Sequence, residues 1–250
     1  MLSVEEVRKT FNAGTVNERI ALDGVTFRLE EGDFITVVGG NGSGKSTTMN
    51  AIAGVFPIDS GSVRIDGRDI TALPEYKRAA YLGRVFQDPM MGSAARMNIE
   101  ENLALAYRKC RRRGLGWGVT KKERGKYREL LAQLDLGLED RMTSRVGLLS
   151  GGQRQALTLL MATLNKPALL LLDEHTAALD PKTAGKVLAL TEKIVTENKI
   201  TTLMVTHNMH DALRYGNRVM MMRDGRAVFE AAGEEKARLK VADMLEMFEI

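Results

Sequence analysis

Residues Gly39 to Thr47 read GGNGSGKST, which fits G-x-x-x-x-G-K-[ST], and these residue types at this spacing suit one task, gripping a chain of phosphates. Gly39, Gly42 and Gly44 let the backbone come close to phosphate oxygens, and the loop through Gly40, Asn41 and Ser43 offers its N–H groups to them. Lys45 is placed to neutralise the β and γ phosphates, Ser46 to ligate Mg²⁺, and Thr47 to assist at the α phosphate. By itself the motif names a nucleotide binder and no more.

Further along, PALLLLDE runs from Pro167 to Glu174. Four leucines predict a buried strand, so Asp173 falls at its carboxyl end, where α/β sheets bind ligands, within reach of magnesium through water. Glu174 points to the other side of the strand end, toward the γ phosphate and the water that attacks it. TTLMVTH, from Thr201 to His207, ends a second apolar run in the same manner. LSGGQRQ, from Leu149 to Gln155, opens a predicted amphipathic helix, and the N-terminus of a helix favours anions. The glycine loop already encloses the chain's own phosphates. A second anion site, built from Ser150, Gly151, Gly152 and Gln153, therefore implies another molecule.

The elements that position these residues follow from periodicity. SVEEVRKTF, VTFRL and FITVV read as strands, the last feeding the glycine loop, with a helix from Ser46 to Val55 behind it. GSVRIDG and YLGRVFQ, ending at Gln87, are further strands. From Asn98 to Leu134 the pattern turns helical, IEENLALAYRKCRRR and KKERGKYRELLAQL flanking GLGWGVT. TAGKVLALTEKIVTEN predicts a helix, RVMMMRDGRAVFE a hairpin around Asp224 and Gly225, and KARLKVADMLEMFEI one final helix. Alternation of strand and helix predicts an α/β fold with a mostly parallel core sheet.

With 250 residues, 44% of them hydrophobic, the chain can bury a large core. No apolar run approaches the roughly 20 residues that span a bilayer, and MLSVEEVRKTF lacks the layout of a signal peptide. The expected location is the cytoplasm. The single cysteine, Cys110, forms no internal disulfide, and the net charge of +4 compels no particular partner.

GGNGSGKST, LSGGQ and LLLLDE in this order resemble the ATP-binding subunit of ABC transporters, over nearly the whole chain. The resemblance implies one ABC ATP-binding domain over residues 1–250. Within it, residues 1–87 and 165–250 are a P-loop NTPase core with an antiparallel β part, and residues 88–164 are an inserted helical subdomain. It implies that Glu174 is the general base, that His207 contacts the γ phosphate and orients the water, and that Gln87 ligates magnesium and links the nucleotide to the helical lobe. Asp180 falls in the loop that runs across a dimer interface, although His175 stands where the family commonly has proline and Ala177 where it has serine. Phe11 takes the place of the aromatic that stacks on adenine.

The resemblance further implies a head-to-tail dimer in which Ser150, Gly151 and Gly152 of one copy close on the γ phosphate held by the other. Integral-membrane permease subunits and, indirectly, a solute-binding protein are the implied partners, with the chain peripheral on the inner face of the membrane. No nucleic acid is expected. A single cassette without fused membrane helices favours import, and DEHTAALDP with the basic stretch is similar to orphan ATPases found beside permeases of the branched-chain amino-acid type. The alternative is a non-transport ABC ATPase acting on nucleic acid or ribosomes. Against it, the chain has one cassette and no coiled-coil insertion between Lys45 and Ser150.

Between Arg108 and Arg128 ten Lys and Arg residues accompany only Glu123 and Glu129. A solvated hairpin face and a contact with lipid head groups or a permease, marked by Trp117, are both open readings.

Overall fold

The computed structural model describes residues 1–109 and 118–249. Along the chain lie β1 (Leu2–Phe11), β2 (Arg19–Leu29), β3 (Phe34–Gly39), α1 (Lys45–Ala53), β4 (Ser60–Ile65), β5 (Arg68–Asp69), α2 (Glu75–Arg78) and β6 (Leu82–Val85). Then come α3 (Ile99–Tyr107), α4 (Lys121–Ala132), α5 (Gly151–Thr163), β7 (Leu169–Asp173), α6 (Pro181–Asn198) and β8 (Thr201–Val205). The last elements are α7 (Met209–Arg214), β9 (Arg218–Arg223), β10 (Arg226–Ala232), α8 (Gly233–Arg238) and α9 (Val241–Glu249).

The chain forms two compact units. Residues 1–82, 168–174 and those from 199 onward make the first. It holds a four-stranded antiparallel sheet, β2-β1-β4-β5, and most of a second sheet in the order β10-β9-β3-β8-β7-β6. In the second sheet β9, β3, β8 and β7 run parallel, and β10 joins β9 antiparallel. Strand period sorts the side chains between two cores. Met220 and Met222 enter a core shared with α1 and the antiparallel sheet, whereas Met221 between them packs with Ala212 and Met244 on the other face. The β9–β10 connection is Asp224-Gly225, both at positive φ (48° and 74°), the conformation that joins strands with two residues.

Residues 83–167 and 175–198 make the second unit. Ile99 and Leu103 of α3, Tyr127 and Leu131 of α4, and Ala156, Leu157 and Leu160 of α5 form its core, against which Leu190 and Ile194 of α6 pack. Helix α6 thus groups with the helical unit, whereas the sequence reading kept residues 165–250 together with the core.

Three expectations change. The C-terminal segment forms two helices, because α8 ends in extended backbone at Leu239 and the Asp243 carboxylate takes the N–H of Lys240 to start α9. The strand expected to reach Gln87 stops at Val85. The basic stretch also has an acid from outside it, Glu100 of α3, which pairs bidentately with Arg124, while Arg108 pairs with Glu123. Cys110, Arg111, Arg112, Arg113 and Trp117 lie outside the described residues.

Candidate functional site

In the first unit the glycine loop joins β3 to α1. Gly44 has φ 103°, and a Cβ there would stand 2.9 Å from Ala21 O and 3.2 Å from the Cα of Gly225, so only glycine lets the loop pass between β2 and the β9–β10 turn. The loop borders a cavity of about 270 Å³ lined by Asn41 to Thr47 together with Phe11, Arg19, Ala21 and Glu174. Gly39 and Gly40 serve from behind. Their carbonyls accept hydrogen bonds from the Lys45 ammonium at 2.8 and 2.9 Å. Lys45 is buried, and that burial holds its ammonium below the ordinary lysine range, opposed by the charges of Glu174 and Asp173. A phosphate chain would replace loop carbonyls with full negative charge around an already desolvated cation.

At the end of β7, Asp173 Oδ1 lies 3.5 Å from Ser46 Oγ. A hydroxyl beside a carboxylate is a hard oxygen pair that suits Mg²⁺. Among the described residues no group of three or more His, Cys, Asp or Glu could hold a metal, so such an ion would share its coordination with phosphate and water. Glu174 follows, with His207 Nδ1 3.7 Å from its Oε2. Its side chain is 23% exposed and that of His207 65%, so the carboxylate is sheltered at the cavity while the imidazole reaches solvent. Phe11 meets Phe56 edge-on with centroids 5.1 Å apart, and the Lys9 ammonium lies over both rings. It is thus half-buried against Phe56 while still lining the cavity.

Arg19 and Ala21 have no place in the motifs. Arg19 stands directly opposite Phe11 in the β1–β2 register, so the hairpin is the signal that finds it. Its guanidinium donates to Gly42 O at 3.4 Å.

The other singled-out residues belong to the second unit. Ser150 caps α5, its hydroxyl accepting from the Gln153 N–H while the Gln153 carboxamide accepts from the Ser150 N–H, and that carboxamide also donates to Leu136 O. A Cβ on Gly152 would stand 2.2 Å from Thr183 Cγ2, so glycine lets α5 and α6 start side by side. Ser150, Gly152 and Gln153 border a groove of about 470 Å³ with Thr183 and Lys186. Asp180 caps α6 by accepting from the Thr183 N–H, and hydrogen bonding by the Thr183 side chain and then by that N–H holds its carboxyl below the usual range. Gln87 is exposed beyond β6, next to Phe86, whose carbonyl accepts from the fully buried Gln155 of α5 at 3.3 Å.

A sequence model of the ABC transporter family matches residues 22–177, from within β2 through the end of β7 and the three residues beyond Glu174. The chain belongs to the ABC transporter family. It is an ATP-binding, ATP-hydrolysing subunit with the ABC ATPase fold. It is 43% identical to a tyrosine transport ATP-binding protein of Clostridioides difficile, covering all of this chain and 99% of that one. It is 38% identical to a methionine import ATP-binding protein MetN of Corynebacterium diphtheriae over 91% of its length, but spans only 64% of that relative. Among solved structures, the cassette resembles the dimeric post-hydrolysis cassette MJ0796 bound to ADP and Pi (31% identity, TM-score 0.78, 93% of this chain and 98% of that one). It also resembles the ADP conformation of MJ1267 (28% identity, TM-score 0.78, 98% of each chain).

Proposed function

We propose that this cassette drives a bacterial importer whose cargo is an amino acid, hydrolysing ATP with Glu174 as general base. The observation that carries the reading is that Lys45, Ser46 and Glu174 line one cavity in the first unit, with Asp173 beside Ser46 and His207 beside Glu174. Lys45 gives up its loop carbonyls to bind the β and γ phosphates. Ser46 and Asp173 would hold Mg²⁺, which would supply charge neutralisation on the phosphates, and Gln87 is proposed as a further ligand. Glu174 takes the proton of the attacking water, and His207 orients that water. Phe11 stacks on adenine.

Two copies pair head to tail, so that Ser150, Gly151, Gly152 and Gln153 of one bring a capped helix N-terminus to the ATP of the other, with Asp180 in the crossing loop. Dimeric relatives of this fold support that arrangement. The pair docks on integral-membrane permease subunits at the inner face of the membrane, supplied by a solute-binding protein. The names of the tyrosine and methionine relatives support an amino-acid cargo. Among the described residues no helix is long and apolar enough to cross a membrane, in keeping with a separate permease.

Two measurements test this reading. Glu174→Gln should keep ATP affinity while phosphate release falls at least about a hundredfold, the contribution of a positioned base; release within threefold of the parent would remove Glu174 from that role. A strain lacking the chain should lose uptake of labelled tyrosine or methionine and regain it with the parent but not with Lys45→Ala. Undiminished uptake of both would remove the amino-acid cargo.

A further inference from the structure

The chain leaves β7 through a turn that its own sequence does not favour. Glu174 has φ 44°, in the left-handed region where a Cβ crowds the following carbonyl oxygen. A side chain persists there only where its surroundings over-determine it, and such residues cluster at functional sites. On the strand side the turn is fixed by the main chain, since the Glu174 N–H donates to Val205 O at 3.0 Å. On the other side stands His175. It is 2% exposed, and its Nε2 lies 3.1 Å from the hydroxyl of Thr191, a fully buried residue of α6.

The direction of that hydrogen bond follows from proton counting. The Thr191 hydroxyl has one proton, and it donates it to Val187 O at 2.8 Å, so from His175 it can only accept. The imidazole is therefore the tautomer protonated on Nε2. Burial pushes His175 down to about 4, which keeps the ring neutral, and the bond unchanged in kind, near pH 7. A ring so placed cannot exchange protons with substrate, and it does not line the nucleotide cavity. What it does is anchor the residue peptide-bonded to Glu174.

We propose that the buried hydrogen bond from His175 to Thr191 is a positioning device for the general base: by pinning the residue after Glu174 to α6, it holds the left-handed turn and so the direction of the carboxylate. The proposal rests on the reading of Glu174 given above. His175 is a positioning residue, and its effect should appear in kcat with little change in KM, because nucleotide binding depends on the glycine loop while turnover depends on where one carboxylate points.

Amide side chains separate this role from mere packing. The amide nitrogen of glutamine reaches about as far as imidazole Nε2, whereas that of asparagine stops near Nδ1. His175→Asn is expected to lower kcat roughly ten- to a hundredfold with KM for ATP within about twofold, and His175→Gln to stay within about threefold of the parent. Thr191→Val, which removes the acceptor, should match His175→Asn, and the double variant should be no slower than either single one. Should His175→Asn fail to fold, Thr191→Ser against Thr191→Val decides the matter, since serine keeps the acceptor and must keep the turnover. Equal losses for asparagine and glutamine, a kcat for asparagine within about threefold of the parent, or losses that multiply in the double variant would each overturn the proposal. Glu174→Gln run alongside separates the two readings. If it is inactive while His175→Asn is active, only the positioning role falls; if it turns over normally, the general base falls and this proposal with it.

Discussion

A single buried imidazole also sets a pH dependence. Free imidazole titrates near 6.5, whereas His175 is pushed down to about 4 by burial alone. Above the unfolded value both states are neutral and nothing is lost. As pH falls from about 6.5 toward 4, the unfolded chain binds a proton that the folded chain refuses, so stability declines over that window, by about 3 kcal/mol in all. Carboxylates held low by their partners, such as Asp33, give up their contribution only at more acid pH, so the windows separate. Urea unfolding at pH 7.5 and 4.5 should show the parent losing about 2 kcal/mol more than His175→Gln over this interval; identical losses would mean that the ring is not excluded from protons. Nothing in the sequence around His175 announces this environment. The glycine loop, the DE pair and the signature serine were legible because their chemistry is written in consecutive residues. His175 was not, because its partner lies on a helix that begins only at Pro181 and packs its far side into the second unit's core. Arg19 escaped for a similar reason, being opposite Phe11 only through strand pairing.

Among the elements, α1 carries Lys45 and Ser46 at its start, and its end is held by a device that periodicity does not reveal. Arg78 is 2% exposed, and its guanidinium donates to Ala51 O and Ile52 O in the last turn of α1 and to Thr71 O and Leu73 O. Carbonyls at a helix end lack partners within the helix, and the negative end of the dipole favours a cation there. Arg78→Met keeps most of the volume and takes the guanidinium from four carbonyls, of which Ala51 O keeps the Gly54 N–H, so it should destabilise the fold by about 3 kcal/mol and weaken ATP binding through the helix. Arg78→Lys, a point charge without the planar fork, should fall between. A loss under about 1 kcal/mol for methionine would show that water satisfies these carbonyls and that the helix end does not need the arginine. The long apolar strands and amphipathic helices were legible from their periods, and the Asp224-Gly225 turn from its dipeptide. The break between α8 and α9 was not, because the apolar pattern runs through it. Tertiary bonds decide it, with the buried Lys236 ammonium fixing α8 to the carbonyls of Tyr215, Gly216 and Arg218.

For the whole molecule, the decisive consequence of the proposed shared site is that its two halves lie on two different units. Lys45 belongs to one, and the capped N-terminus of α5 to the other, where Gly152 leaves no side chain between Ser150 and the groove beside Thr183 and Lys186. If each ATP is shared between copies, defects in the two sites must complement in one direction only. Lys45→Ala removes the phosphate cation, and Ser150→Arg puts a bulky side chain at the helix start; each homodimer then has two broken sites. In a mixed pair, the intact Lys45 of one copy meets the intact Ser150 of the other at one site, and both defects meet at the second. Random pairing of equal amounts makes half the dimers mixed, so phosphate release should recover to about a quarter of the parent rate while each variant alone stays near zero. Sedimentation of Glu174→Gln with ATP should show the pair directly, since ATP is bound and not consumed. An inactive mixture together with a monomer at saturating ATP would overturn the shared site, and activity of Ser150→Arg alone would show that one copy hydrolyses ATP without the signature of another.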